Sequence, residues 1–324
     1  MAIQTPFEAT LADVIQQTKL ATESIHVEAH SSISEALKLM HDHNISSLAV
    51  YGAPGHYLSS GDKSLLEHQG KQYFSVLTIS DIVAWLVGNP VGIDTATVFD
   101  ACGKSTVWAM NLSDRLINCI EPMAKGGISH NQGVHTFLVA HRNTEEGIFV
   151  VSQTDILTFL AHGLEDSGCM QQQIKDVIEL PRDLLIATTD MRLNSLFRQM
   201  VDLYIRSVPV VDVKGSLVDY FSFTDLAPIL WDASRNQMLS LCFSLLDKQD
   251  LTVSDFLFIH RNGVGMKPGV YAFKNGQIGE VIKLALHNRV HQVWIVNHDM
   301  EPIGILSYSD MIDVLWKFGR SEFM

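Results

Sequence analysis

Apolar residues recur along this chain at two spacings, and the two alternate in a fixed order. Ile33, Ala36, Leu37 and Met40 stand at i, i+3, i+4 and i+7, which predicts the buried face of an amphipathic helix. Ser32 and Glu35 form a capping box at its start. A β-rich run follows, SSLAVY (46–51), and then a second one, FSVL, which passes through Thr-Ile-Ser-Asp into the apolar helix IVAWL. The helical spacing returns at Leu193, Leu196, Phe197 and Met200, and again at Ile278, Val281, Ile282 and Ala285. A partial copy, Leu116, Ile117 and Ile120, is expected to end at Pro122 and Gly126-Gly127. After each helix comes a strand, HTFLVA (135–140), SVPVVD (207–212) or HQVWIV (291–296).

The unit therefore occurs four times. FSVLTISDIVAWL (74–86) is repeated as IFVVSQTDILTFL (148–160), VDYFSFTDLAPIL (218–230) and IGILSYSDMIDVL (303–315). Leu193 to Asp225 and Ile278 to Asp310 both span 32 positions, so the last two units align without a gap. The first needs 48, because GAPGHYLSSGDKSLLEHQGKQ (52–72) lengthens it; rich in Gly, Ser and charge, it reads as a surface loop. Each unit is helix–strand–strand–helix with a further strand leading in, an α+β arrangement of pattern β-α-β-β-α. So small a unit leaves one sheet face uncovered, so units should pack in pairs. The expected boundaries are 11–90, 95–163, 173–232 and 252–319, grouped as 11–163 and 173–319.

Each repeated turn holds a carboxylate, Asp81, Asp155, Asp225 or Asp310, beside the hydroxyls of Thr78 and Ser80, Ser152 and Thr154, Ser222 and Thr224, or Ser307 and Ser309. Such residues cap a helix and suit the positive end of its dipole. The same carboxylate could instead face a ligand, and a single copy does not decide between the two.

Composition narrows the classes. With 47% hydrophobic and 18% charged residues, the 324-residue chain can bury a core. A formal charge of −13 opposes nucleic-acid binding, and an anionic ligand would need a local cationic pocket. No apolar run reaches the roughly 18 residues of a membrane span, and no signal peptide is evident, so the expected compartment is cytoplasm or nucleus. Cys102, Cys119, Cys169 and Cys242 make no CxxC pair. His26 and His30, His287 and His291, and His41 and His43 are close in sequence, but no cluster offers the convergent ligands of a metal site. GVGMKPG (263–269) lacks the Gly-Lys-Ser/Thr ending of a phosphate loop and reads as a turn. No nucleophile elbow, kinase motif or HExxH is present, so neither catalysis nor a cofactor is expected.

Four units with this turn resemble CBS domains, and the resemblance covers nearly the whole chain. Its strongest segments are YFSVLTISDIVAWL, NISSLAVY and IRSVPVVDVKGSLVDYFSFTDL. Two paired modules, called Bateman modules, with nothing else resemble the γ regulatory subunit of AMP-activated (SNF1-type) protein kinase. The resemblance implies a flat pseudo-symmetric disk that binds AMP, ADP or ATP in clefts between paired units and reports to kinase α and β subunits. It assigns the four Asp residues and their Ser/Thr neighbours to ribose, since a carboxylate can accept both bonds of a cis-diol. It assigns phosphate to basic residues at the start of the second strand. Arg206 and His291 occupy that position in the aligned units, His135 matches it in the second, and Ser46 replaces it in the first. Thr188 and Thr189 could meet adenine or cap the third unit's helix. One departure stands out: His135-Thr136 and His291-Gln292 occupy places where the family usually carries a His-Arg pair, leaving fewer guanidinium forks for phosphate. A ligand-independent scaffold, or a stress- or phosphatase-regulating four-CBS protein outside the kinase complex, is the alternative.

Overall fold

A computed structural model describes residues 6–18, 24–53, 66–89, 95–102, 108–124, 135–140, 147–235, 251–260 and 269–323. The chain folds as four α+β units, each built on a small sheet whose lead-in strand runs parallel to the first strand of an antiparallel pair. In the first unit β1 (His26–Glu28), β2 (Ser47–Gly52), β3 (Leu66–His68) and β4 (Lys71–Thr78) lie in the order β1-β2-β4-β3. The second has β5 (Trp108–Asn111), β6 (Thr136–Ala140) and β7 (Phe149–Ser152). The third has β8 (Ala187–Thr188), β9 (Ser207–Val211) and β10 (Leu217–Ser222). The fourth has β11 (Tyr271–Phe273), β12 (Gln292–Val296) and β13 (Pro302–Ser307).

Two local expectations need correction. The long insert of the first unit is not loop throughout: β3 pairs with β4 across Gln69 and Gly70, which have φ of 49° and 73°. A two-residue turn with both φ positive matches the twist of a hairpin, and Leu66 and His68 are buried on either side of exposed Glu67. Residues 54–65 of that insert lie outside the described residues, as do Gly126-Gly127 and positions 263–268 of the glycine-rich turn. In the second unit the helix does not stop at Pro122 but runs Leu116–Ala124. Its apolar face is complete once Cys119 and Met123 are counted as core members, both fully buried beside Leu116 and Ile120. A free cysteine packs as a small hydrophobe, and that burial outweighs the backbone bond lost to proline.

Within each pair the lead-in helices are exchanged. Leu11–Thr18 leads into the first unit but docks on the second, where Leu11 N donates to Asp114 O at 3.0 Å and Thr10 bridges Arg115. The helix Val98–Ala101 leads into the second unit but docks on the first, where Ser32 bridges Thr97. The third and fourth units repeat the exchange through Gln173–Gln277 and Arg192–Thr252. Opposed sheets close each pair: Ala49, Tyr73 and Val76 pack on Leu138, Ala140 and Val150, and Leu217 packs on Trp294 and Val296.

The larger cores run across the pairs. Helices of the first and third units share one, with Leu37, Met40, Ile82 and Val83 against Leu196, Phe197 and Phe256, over Phe221 of β10. Helices of the second and fourth share the other, with Ile120, Ile156 and Leu160 against Ile282, Met311 and Ile312. Sheet contacts and helix contacts thus alternate around a closed ring of four units. Among the described residues no helix is long and apolar enough to cross a membrane.

Candidate functional site

Each of the four turns forms the same cap. Asp81 Oδ2 accepts from Thr78 N at 2.9 Å and Thr78 Oγ1 at 2.6 Å, and Asp81 N donates back to Thr78 Oγ1 at 3.2 Å. Asp155 Oδ2 accepts from Ser152 N and Oγ at 2.8 and 2.6 Å. Asp225 Oδ2 accepts from Ser222 N at 2.7 Å, and Asp310 Oδ2 from Ser307 N at 2.8 Å and from Ser307 Oγ. Capping is thus realised at all four carboxylates. At Asp81 and Asp310 it engages Oδ2 and leaves Oδ1 turned to a second partner. Asp81 Oδ1 lies 3.6 Å from Arg206 Nη2 of the third unit, an ion pair too long for a hydrogen bond. Asp310 Oδ1 accepts from Arg182 Nη1 at 2.9 Å.

The second-strand positions are equivalent in space as well as in sequence. In every unit the carbonyl of this residue accepts the N–H of the residue after the cap: Ser46 O from Ile79 N at 3.2 Å, His135 O from Gln153 N at 3.1 Å, Arg206 O from Phe223 N at 3.1 Å and His291 O from Tyr308 N at 3.0 Å. The charged members act on one another. Burial pushes the His135 ring below its ordinary value of 6.5 and Arg206 adds repulsion, while the Gln153 hydrogen bond and the Asp81 carboxylate act weakly the other way. Burial likewise lowers His291, helped by His135 and then by Arg206. A carboxylate from the first unit and one basic group from each of the others therefore share one electrostatic neighbourhood.

The remaining side chains have mixed surroundings. Gln153 Oε1 meets His135 Nδ1 at 3.2 Å, which places the ring proton on Nδ1, and its Nε2 donates to buried Ser309 Oγ at 2.7 Å. Thr154 bonds the buried Tyr308 hydroxyl. Ser309 and Thr154 thus also tie the second unit to the fourth. Ser222 and Thr224 hydroxyls lie 3.0 Å apart, and Ser80 is half-buried beside its Asp. Thr188 Oγ1 donates to Asp190 at 2.6 Å, Thr189 O accepts from Ser254 N, and the helix cap is Arg192, so neither threonine caps that helix. Three features escape the sequence pattern: Gln153, Arg182, and the Thr-x-x-Asp boxes at Thr10–Asp13, Thr97–Asp100 and Thr252–Asp255 that begin three exchanged helices. The last repeat was legible; the first two have no periodic signal. Among the described residues no group of three or more His, Cys, Asp or Glu could hold a metal ion.

The depressed histidines fix a sign for pH dependence. A ring held below its unfolded value binds fewer protons folded than unfolded, so stability is lost progressively as pH falls from that unfolded value toward the lower folded one. The ligand-free melting temperature is expected to drop from about pH 7.5 to about pH 5.5, and less so in the double variant H135Q/H291Q. Parallel pH curves for both proteins would remove the two rings as the cause.

Comparison with known proteins places these features. The family model described as CBS domain matches residues 11–58, 174–232 and 264–317. The second unit lies outside those matches and shares their strand order, cap and helix exchange. Two Arabidopsis thaliana proteins described as SNF1-related protein kinase regulatory subunit gamma-like, PV42b and PV42a, are 21% and 20% identical, and the first aligns over 90% of each chain. A solved Methanocaldococcus jannaschii structure, considered an archaeal homolog of g-AMPK, shares the fold with a TM-score of 0.65 at 17% identity, over 92% of this chain and 98% of that one.

Proposed function

From the premise that this chain is a four-unit CBS-domain protein, we propose that it is a non-catalytic regulatory protein that binds AMP, ADP or ATP and modulates a kinase of the SNF1 type. The observation that carries this is the approach of Arg206 to Asp81 with His135 and His291 in the same field. A permanent cation and two rings close to neutrality give an acidic chain a local anion site. A cap carboxylate whose Oδ1 turns away from its own helix gives a hydroxyl acceptor nearby. Phosphate and ribose together describe a nucleotide, with Thr188 and Thr189 on the adenine side. The description of the Arabidopsis relatives as gamma-like kinase subunits supports a kinase complex with α and β subunits as the partner.

Regulation then follows from differential affinity. A nucleotide changes the partner only as far as it binds the two states of the complex unequally. Scarcity of guanidinium groups favours one phosphate over three, so AMP should exceed ATP in affinity.

A thermal-shift panel with AMP, ADP, ATP, NADH and S-adenosylmethionine tests this on the wild type and on D81A, D155A, D225A and D310A. At a hundred times Kd a ligand adds about 2.7 kcal/mol of stability. Loss of the AMP shift at one to three of the four positions is expected. No shift with any ligand would leave the ligand-independent scaffold as the better account.

A further inference from the structure

The four caps are alike in sequence and in Oδ2 geometry, yet the fourth carboxylate has a partner that the repeat does not supply. Arg182 lies in the segment that leaves the exchanged helix Ile174–Val177 and crosses β13 on its way to β8. Its backbone N donates to Ile303 O at 3.0 Å, and Nη1 donates both to Ile305 O at 3.1 Å and to Asp310 Oδ1 at 2.9 Å. Leu180 packs directly on Gly304, where a Cβ would collide with it. Phe149 and Asp219 stand at the corresponding place in the second and third units, six residues before the Asp. The segment is thus seated on the fourth unit by backbone, side chain and apolar contact together.

The consequence concerns the oxygen a ribose would use. Asp310 is 8% exposed, and both its oxygens are engaged, Oδ2 by the cap and Oδ1 by a charge-assisted bond at full hydrogen-bonding distance. Asp81, whose Oδ2 is engaged in the same way, has its guanidinium at 3.6 Å, beyond hydrogen-bonding distance. We propose that Arg182 is an internal occupant of the fourth unit's site, closing its carboxylate to the cis-diol of a nucleoside. This rests on the nucleotide reading above and adds that the first and fourth sites are unequal, with the fourth shut by the chain's own side chain. Any nucleoside entering there must first evict Arg182, and its guanidinium keeps bonds to solvent because the arginine side chain is 29% exposed. The pair is therefore separable in a way that a sealed ion pair is not.

Calorimetric titration of AMP into the full-length wild type, R182A and R182Q tests the proposal, with 2′,3′-dideoxy-AMP as the control ligand and a melt recorded for each protein. The glutamine variant keeps most of the side-chain volume if the alanine variant folds poorly. Each variant is expected to bind one more equivalent of AMP per chain than the wild type. The extra equivalent should vanish with the dideoxy analogue and in the double variant R182A/D310N. AMP binding by the wild type with no gain in either folded variant would overturn the internal occupant alone. A gain that survives removal of the diol would overturn it too. Absence of AMP binding in every protein would overturn it together with the nucleotide reading.

Discussion

Replacing Arg206 with methionine should weaken AMP binding about 10- to 150-fold and leave adenosine binding nearly unchanged. The range follows from the about 1.5–3 kcal/mol of a hydrogen bond to a charged group, at about 1.4 kcal/mol per tenfold. Arg206 carries the only fixed positive charge among the three basic positions, since burial drives both His135 and His291 toward the neutral form. Without it, a phosphate would face two neutral rings and the Asp81 carboxylate. The same substitution removes repulsion that lowers both histidines, so their titrations should move upward in proton NMR. AMP affinity of R206M should therefore recover partly as pH falls toward about 6. Equal losses for AMP and adenosine would show that the arginine supports the fold and not the phosphate. No loss for either would remove it from the site.

A second large effect is expected far from any ligand. Leu11→Ala deletes a fully buried side chain and should cost about 2–5 kcal/mol. Its location makes the test specific, because Leu11 opens the first unit in sequence but packs with Leu116, Ile120 and Leu157 of the second. Hydrogen exchange should accelerate in Leu116–Ala124 and Gln153–Gly163, while Ile33–Asp42 keeps its protection. Faster exchange confined to Ile33–Asp42 would contradict the exchanged helix.

The repeat made much of this fold readable. Helical spacing at Leu193 and Ile278, the Ser/Thr-x-Ser/Thr-Asp turn and the gap-free register place four units and four equivalent basic or polar positions, and the carbonyl bonds of Ser46, His135, Arg206 and His291 follow that alignment. Cys119 escapes the apolar pattern because a thiol signals chemistry before size, although here it packs as a small buried hydrophobe. Contacts between units left no trace in periodicity. Gln153 and Ser309 are 156 residues apart, Arg182 and Asp310 are 128 apart, and a pairing of single residues at such separations carries no repeat to detect. The cap itself was legible; what the second carboxylate oxygen meets was not, because that partner comes from a distant part of the chain.

The two cores that cross the pairs also bear on how the chain is made. Met40, Leu37 and Val83 belong to the first unit, but the Leu196, Phe197 and Phe256 they pack against emerge from the ribosome long afterwards. The second unit's Ile120 and Leu160 wait in the same way for Met311 and Ile312 of the last helix. At roughly 5–20 residues per second, apolar helix faces of the first half stay uncovered for about ten seconds or more during synthesis. Contacts of such high sequence separation are also slow to form once the chain is complete. A nascent chain of this design exposes apolar helix faces until its second half arrives, and truncated products should be the first to aggregate.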